Sequence, residues 1–215
     1  AIYFHYLPVG VEAAAPPTKE QLGQAAISWA AVSLADKLDT LVSMFAAGER
    51  PTGSRDPYGL RRAAQGVVRI LVDLPELTGL DLPLSIGDLV ESGADPALST
   101  FMLDRLRYVL ELRGYDARNV RAVTHGAIQS ISPLTAKRKL EALPEFTGTD
   151  DFRQLAIVFK RVRNIAKNLE AVEGDSDFNI DERKLSEAAE QQLLDQLQQR
   201  EPRIRAAIGK NAFRT

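Results

Sequence analysis

Cysteine is absent from this 215-residue chain, and histidine occurs only twice. Without cysteine, the chain forms no disulfide bonds and no thiolate metal sites. It also lacks an uncharged apolar run of about 18 residues, the length that a membrane-spanning helix needs. The N-terminal stretch AIYFHYLPVG has no basic start ahead of an apolar segment, so it does not resemble a signal peptide. We therefore expect no membrane span and a cytoplasmic location.

A strong net charge of either sign is lacking as well. The 27 lysines and arginines are balanced by 29 acidic residues, which gives a formal net charge of −2. Any contact with a nucleic acid must therefore come from local basic patches. What the chain does have is 45% hydrophobic residues, enough for a sizeable core. It begins with alanine rather than methionine and stops without a clear ending, so we expect a piece of a longer protein.

Helical periodicity runs along almost the whole sequence, and no strand pattern competes with it. Thr18 is a candidate N-cap and Gly48 a candidate stop for one long helix. This helix is apolar nearly all round, which predicts the most buried element of a helical bundle. Asp56 and Pro57 predict the N-cap and first residue of the next helix. Further helices are predicted at 84–92, 96–113, 116–127, 133–143 and about 149–170, followed by a helical pair broken around Glu201-Pro202.

Two carboxylates on the long helix, Asp36 and Asp39, are three residues apart and so share a face. One interpretation is a metal or acid–base site. The other is a structural polar cluster that accepts hydrogen bonds or pairs with an arginine. The only histidines are His5 and His125, too few with these acids to complete a metal site. We therefore favour the structural cluster and predict no metal, with the pairing arginine among Arg55, Arg61 and Arg62.

Five arginines lie between Arg50 and Arg69, a stretch that opens with RPTGSRDPYGLRR. The segment lacks the spacing of a phosphate-binding P-loop. It nevertheless precedes a helix N-terminus, which favours anions, and this makes Arg55, Arg61 and Arg62 candidate phosphate contacts. The alternative is a capped helix with solvated or internally paired arginines.

A one-sided basic stripe is predicted around FKRVRNIAKN. The predicted buried face of this helix consists of Leu155, Phe159, Val162, Ala166 and Leu169. The other side carries the basic candidates Arg153, Lys160, Arg163 and Lys167, and a further candidate, Arg161, flanks them. Such a stripe can neutralise RNA phosphates, although an ordinary solvated helix face has the same pattern. The chain has no nucleophile–base pair, no thiol and no full metal-ligand set, so we predict no catalysis by this segment alone.

Several segments of the sequence resemble one known family. The block ADKLDTLVSMFAAGERPTGSRDPYGLRRAAQGVVRI, residues 35–70, is similar to the signature segment of the β subunit of the bacterial two-subunit glycine–tRNA ligase. The stretches FHYLPVG, DRLRYVLELRGYD, FKRVRNIAKN and FNIDERKLSEAAEQQLLDQL resemble the same family in the same order. The resemblance therefore extends over essentially the whole chain.

The resemblance implies an all-α fold. Residues 1–146 would hold part of an HD-like helical domain and its adjoining helices. Residues 147–215 would form a helical body that leads into the start of an anticodon-binding-type region. Asp36 occupies the place of the terminal aspartate of an HD motif, which is degenerate in this family.

The resemblance also implies a function and a set of partners. The family's β subunit grips tRNA(Gly), while the α subunit catalyses the attachment of glycine and uses ATP and magnesium. This chain would then hold no cofactor itself. Its partners would be the α subunit, tRNA(Gly) and a second β subunit in a heterotetramer. Two alternatives remain open: an HD-type metal-dependent phosphohydrolase, suggested by His5 and Asp36, and a non-enzymatic helical scaffold.

Overall fold

A computed structural model of the chain describes residues 2–8, 16–90, 95–166 and 185–209. Within these ranges the protein is helical, and a single isolated bridge between Thr52 and Arg55 is the only β-type pairing. The all-α prediction is confirmed. No described helix is long and apolar enough to cross a membrane.

Ten α-helices occur in the described ranges: α1 Lys19–Leu22, α2 Ala26–Ala46, α3 Leu60–Val72, α4 Leu74–Thr78, α5 Ile86–Leu89, α6 Pro96–Leu112, α7 Ala117–Val123, α8 Pro133–Thr147, α9 Asp150–Ala166 and α10 Ala188–Gly209. The chain divides into two compact units, Ala1–Glu141 and Ala142–Thr215. The division falls inside α8, a few residues before the predicted boundary between 146 and 147.

The predicted long helix is two helices separated by a short 3-10 turn, Gly23–Ala25. Its predicted N-cap is confirmed: the Gln21 amide donates to Thr18 Oγ1 at 3.3 Å, and the Thr18 amide donates to Gln21 Oε1 at 2.9 Å. The prediction of one continuous helix is wrong because Gly23 has a φ of +52°, which ends α1 after one turn. α2 then runs to Ala46, close to the predicted stop.

The most buried helix is α3 rather than α2. Nine of the 13 residues of α3 are buried, against seven of the 21 residues of α2. α3 packs on α2 and also on α6, so two of its sides are covered. α2 keeps Ile27 and Val32 exposed on its outer side. The prediction that α2 is the most buried element is therefore wrong, because apolar composition alone does not show how many neighbours a helix has.

Helix α3 begins three residues later than predicted. Asp56, Pro57, Tyr58 and Gly59 form a turn in which the Gly59 amide donates to Asp56 O at 3.2 Å, and Gly59 has a φ of +65°. The Asp56 carboxylate nevertheless satisfies the first two amides of the helix, because it accepts from the Leu60 amide at 2.8 Å and the Arg61 amide at 3.0 Å. The prediction of Asp56 as N-cap and Pro57 as first helical residue is therefore wrong, because Gly59 is the N-cap and Pro57 lies in the turn before it.

One cluster of the first unit's core lies between α1, α2, α3 and α4. Trp29 is completely covered. It belongs to a buried cluster with Leu22, Ala26, Ala30, Ile70, Leu74 and Leu77. This core holds α2 and α3 at the spacing that positions the polar groups described below.

A charged network joins three elements of the first unit. The Asp73 carboxylate, at the junction of α3 and α4, accepts two hydrogen bonds from Arg113 at 2.8 and 2.5 Å. Lys137 of α8 lies 3.3 Å from the same carboxylate and 2.6 Å from Glu76. Burial alone would raise the pKa of Asp73, but hydrogen bonds and charge from Arg113, and then Lys137, hold the pKa below its usual value.

The last described helix, α10, continues through Pro202. The predicted break at Glu201-Pro202 is therefore wrong. Proline removes one backbone donor, but α10 is largely exposed there and water can satisfy the freed carbonyl. Arg205 and Glu201 also pair across this turn at 2.6 Å. The end of the helix predicted at 149–170 and the linker GDSDFNID lie outside the described residues.

Candidate nucleic-acid interface

The N-terminal segment Ile2–Pro8 lies against one face of α2. Three donors spaced four residues apart on this helix bind its backbone carbonyls. Trp29 Nε1 donates to Phe4 O at 2.8 Å, and Ser33 Oγ lies 2.8 Å from His5 O and 2.9 Å from Leu7 O. Lys37 Nζ donates to His5 O at 3.0 Å and to Ser33 Oγ at 2.8 Å. These contacts fix the segment on the helical core.

Lys37 is a buried cation that the sequence reasoning missed. Burial lowers the pKa of Lys37, and the neighbouring Asp36 charge opposes that shift. Helix α3 passes close to it at Gly66, where a Cβ atom would lie 2.8 Å from Lys37 Cε and 2.9 Å from Pro8 O. The glycine therefore permits this close approach. The four-residue spacing of Trp29, Ser33 and Lys37 was the signal that could have identified the polar face.

Asp36 and Asp39 do not form the predicted pair with Arg55, Arg61 or Arg62. Both are exposed, whereas Ser33 and Lys37 form the polar part of the buried face. In the described part of the chain, no salt bridge joins either aspartate to an arginine. The favoured pairing with an arginine is therefore wrong, because both carboxylates lie on the exposed side of α2.

The loop before α3 uses some of its arginines internally. The Thr52 and Arg55 backbones exchange hydrogen bonds of 3.1 and 2.8 Å, which closes a tight hairpin. Arg61 donates to Gly53 O at 2.7 Å and so secures that hairpin to the first turn of α3. Arg50 forms a salt bridge with Asp95.

Arg55 and Arg62, the other two predicted phosphate contacts in this region, do not have an internal partner among the described residues as Arg61 does. The side chains of Arg55 and Arg62 are exposed and have no salt bridge or hydrogen bond to any residue in the described ranges. Arg61 contributes to the loop's structure, whereas Arg55 and Arg62 keep free guanidinium groups.

A shallow pocket of about 230 Å³ lies beside this loop. The N-terminal segment, α2 and the start of α3 each supply part of its wall. Its side chains include Tyr6, Asp36, Lys37, Thr40, Tyr58 and Arg62. The structure thus brings together two of the predicted site residues, Asp36 and Arg62, but leaves Asp39 out.

The basic stripe of α9 is exposed in the second unit. The side chains of Lys160, Arg161 and Arg163 face solvent, and no salt bridge to another described residue engages them. Arg153 instead pairs with Asp150 at 3.0 Å. Lys167 lies outside the described residues.

The opposite face of α9 is also exposed, and its predicted burial is wrong. Leu155, Phe159 and Val162 each keep more than half of their surface accessible. The side chain of Ala166 and all of Leu169 lie outside what the structure describes. Periodicity identified the apolar face correctly, but it does not show whether another element covers that face.

Within the described ranges, no group of three or more potential ligands forms a metal site.

Comparison with known proteins places the chain among the subunits of aminoacyl-tRNA synthetases. Residues 1–125 match the family described as glycyl-tRNA synthetase beta subunit. The chain belongs to this family, and the resemblance found in its sequence is confirmed.

Three relatives illustrate the similarity, each named glycine–tRNA ligase beta subunit. The protein of Leptothrix cholodnii is 40% identical over 190 residues, which cover 85% of this chain and 25% of the relative. That of Acidovorax sp. strain JS42 is 39% identical over 219 residues, covering 99% and 28%. That of Pseudomonas aeruginosa strain LESB58 is 37% identical over 201 residues, covering 90% and 27%. The chain thus spans less than a third of each of these relatives.

Proposed function

We propose that this chain is a tRNA-binding segment of a glycine–tRNA ligase β subunit. Its membership of the β-subunit family carries the proposal. In this role it supports the ATP-dependent attachment of glycine to tRNA(Gly), a reaction catalysed on the α subunit. Its partners are that subunit, the tRNA and a second β subunit in a cytoplasmic heterotetramer.

The chain contributes binding rather than chemistry to this reaction. ATP and magnesium act on the α subunit in this account. Residues 1–146 correspond to part of an HD-like domain with a degenerate motif and to its adjoining helices. Residues 147–215 lead into an anticodon-binding-type region. A segment that holds the tRNA lowers the cost of orienting it at a catalytic centre elsewhere in the complex.

The charges on α9 support the tRNA-binding part of the proposal. Lys160, Arg161 and Arg163 follow one another within a single turn or so and are exposed. Phosphate contacts by such side chains release counterions from the RNA, so they make binding depend steeply on salt concentration. A helix holds these groups at a fixed spacing, which suits them to contact a tRNA backbone.

Replacing Lys160 and Arg163 with alanine in the complete two-subunit enzyme is expected to weaken tRNA binding. The slope of log K against log salt should flatten by about 0.7–0.9 for each lost phosphate contact. The KM for tRNA should rise, while glycyl-adenylate formation stays near its normal rate because that chemistry belongs to the α subunit. The measurement is the tRNA dissociation constant at several salt concentrations.

The matched control is the double variant Arg118→Ala/Arg121→Ala on α7, whose side chains are also exposed. Its salt slope should equal that of the wild type. An unchanged slope for the α9 variant would mean that the basic side chains of this helix are only hydrated and do not contact the tRNA. That result would remove α9 from the tRNA contacts and favour the scaffold alternative for this part of the chain.

A further inference from the structure

The pocket beside the arginine loop carries polar groups that the fold does not use. The guanidinium of Arg62 folds over Gly59 and has no salt-bridge or hydrogen-bond partner among the described residues. The carboxylate of Asp36 is likewise exposed beside the same space. This surface therefore holds an unpaired guanidinium, which can donate hydrogen bonds, and an exposed carboxylate, which can accept them, in one concavity.

Two tyrosines give the pocket flat apolar walls. Tyr6 and Tyr58 each expose at least half of their surface and lie on separate segments of the chain. Exposed aromatic rings beside a cation are the combination on which single-stranded nucleic acids stack their bases. The Tyr6 ring contacts the His5 ring, and the two ring centroids are 3.9 Å apart.

The local charge favours an anionic ligand. Lys37 is buried beneath the pocket and uses its ammonium hydrogens on His5 O and Ser33. It therefore contributes positive charge without being available for a direct contact. The two positive charges of Lys37 and Arg62 exceed the single negative charge of Asp36, so the pocket walls carry a net positive charge.

The size of the pocket limits what it can hold. Its volume of about 230 Å³ is below the roughly 300–1,000 Å³ typical of pockets that enclose a complete small molecule. It is also open to solvent along one side. Such a space suits one unit of a longer polymer whose remainder lies outside.

We propose that this pocket binds one ribose-phosphate unit of an RNA chain, with its base stacked on Tyr58. Arg62 binds the phosphate oxygens, and Asp36 accepts a hydrogen bond from a ribose hydroxyl, a contact that favours RNA over DNA. Thr40 Oγ1 donates to Asp36 O at 3.0 Å and retains lone pairs that can accept a polar hydrogen from the same nucleotide. The site deepens the proposed function and rests on it, because the RNA in question is the tRNA.

The test compares two variants of the complete two-subunit enzyme that should act differently. Arg62→Gln should flatten the salt dependence of tRNA binding by about 0.7–0.9, because one phosphate contact is lost. Tyr58→Ala should raise the tRNA dissociation constant roughly five- to tenfold with no change in salt slope, because stacking releases no counterions. Both side chains are exposed, so the melting temperature should not change.

Matched controls separate the pocket from general surface effects. Arg121→Gln removes an exposed arginine on α7, and Tyr108→Ala removes an exposed tyrosine on α6. Neither should change the tRNA dissociation constant or its salt slope. CMP serves as the free-nucleotide probe, because it lacks the adenine that the enzyme's ATP site accepts.

The outcomes are distinct. Salt-dependent tRNA binding that α9 variants weaken and pocket variants leave unchanged would overturn the pocket proposal alone. A second result would also overturn the pocket proposal. In it, the wild type binds CMP saturably, and Tyr58→Ala loses CMP binding but keeps the wild-type affinity for tRNA. The pocket would then be a site for a free nucleotide. Wild-type enzyme that binds tRNA without any salt dependence would overturn the pocket proposal together with the proposed function.

Discussion

Replacing Trp29 with alanine is expected to lower the free energy of unfolding by about 3–5 kcal/mol. The ring is completely covered and packs in the cluster formed by α1, α2, α3 and α4. The change also removes the hydrogen bond from Trp29 Nε1 to Phe4 O, so it loosens the N-terminal segment as well as the core. Urea unfolding followed by far-UV circular dichroism measures the effect. Fluorescence is unsuitable because Trp29 is the only tryptophan.

Two further variants sharpen this test. Trp29→Phe keeps most of the ring but loses the indole donor, so it should cost less than the alanine variant. Ile27→Ala alters a half-exposed side chain on the same helix and should cost well under the Trp29→Ala value. If Trp29→Ala and Ile27→Ala unfold at the same urea concentration, the packing described for α2 is incorrect.

Asp73→Asn is expected to lower the free energy of unfolding by about 2–3 kcal/mol, somewhat below the cost of breaking a fully buried pair. The Asp73 side chain is 22% exposed and accepts from both Arg113 and Lys137. An amide cannot balance those two positive charges. Glu76→Gln is the matched control in the same network. Its side chain is 58% exposed, so its effect should be under about 1 kcal/mol.

The Asp73 effect should also depend on pH. The pKa of Asp73 is lowered in the folded state, so the carboxylate stabilises the fold above its unfolded pKa of about 3.9. This contribution is lost as the pH falls through the lower folded-state pKa. The stability difference between wild type and Asp73→Asn should therefore be constant from about pH 5 to 8 and shrink below about pH 4. A difference that stays constant down to about pH 2 would contradict the assigned ion pairs.

Local sequence signals predicted several structural features correctly. The cap at Thr18 and the amide contacts of the Asp56 carboxylate come from side chains that satisfy nearby backbone donors, an interaction that spans only a few residues. Helical periodicity likewise identified the all-α class. These features need no knowledge of tertiary neighbours, so the sequence is sufficient to predict them.

Long-range contacts account for what the sequence did not show. Lysine is normally exposed, so its residue type alone did not mark Lys37 as the donor that binds His5 O 32 residues away. The pocket joins three separated segments, and its combination of Tyr6, Asp36 and Arg62 has no signature in any one of them. For α9, the pattern located the apolar face at Phe159, but burial depends on a partner that the pattern does not encode.

The most direct test of the proposed function is tRNA glycylation by a chimeric enzyme. This chain would replace the matching segment of the Acidovorax sp. JS42 β subunit, which is 39% identical over 219 residues, and the chimera would be assembled with the α subunit. We predict kcat/KM for tRNA within about tenfold of the parent enzyme, a difference of about 1.4 kcal/mol, and loss of glycylation when the segment is deleted. A chimera that folds and binds the α subunit but does not charge tRNA would contradict the account.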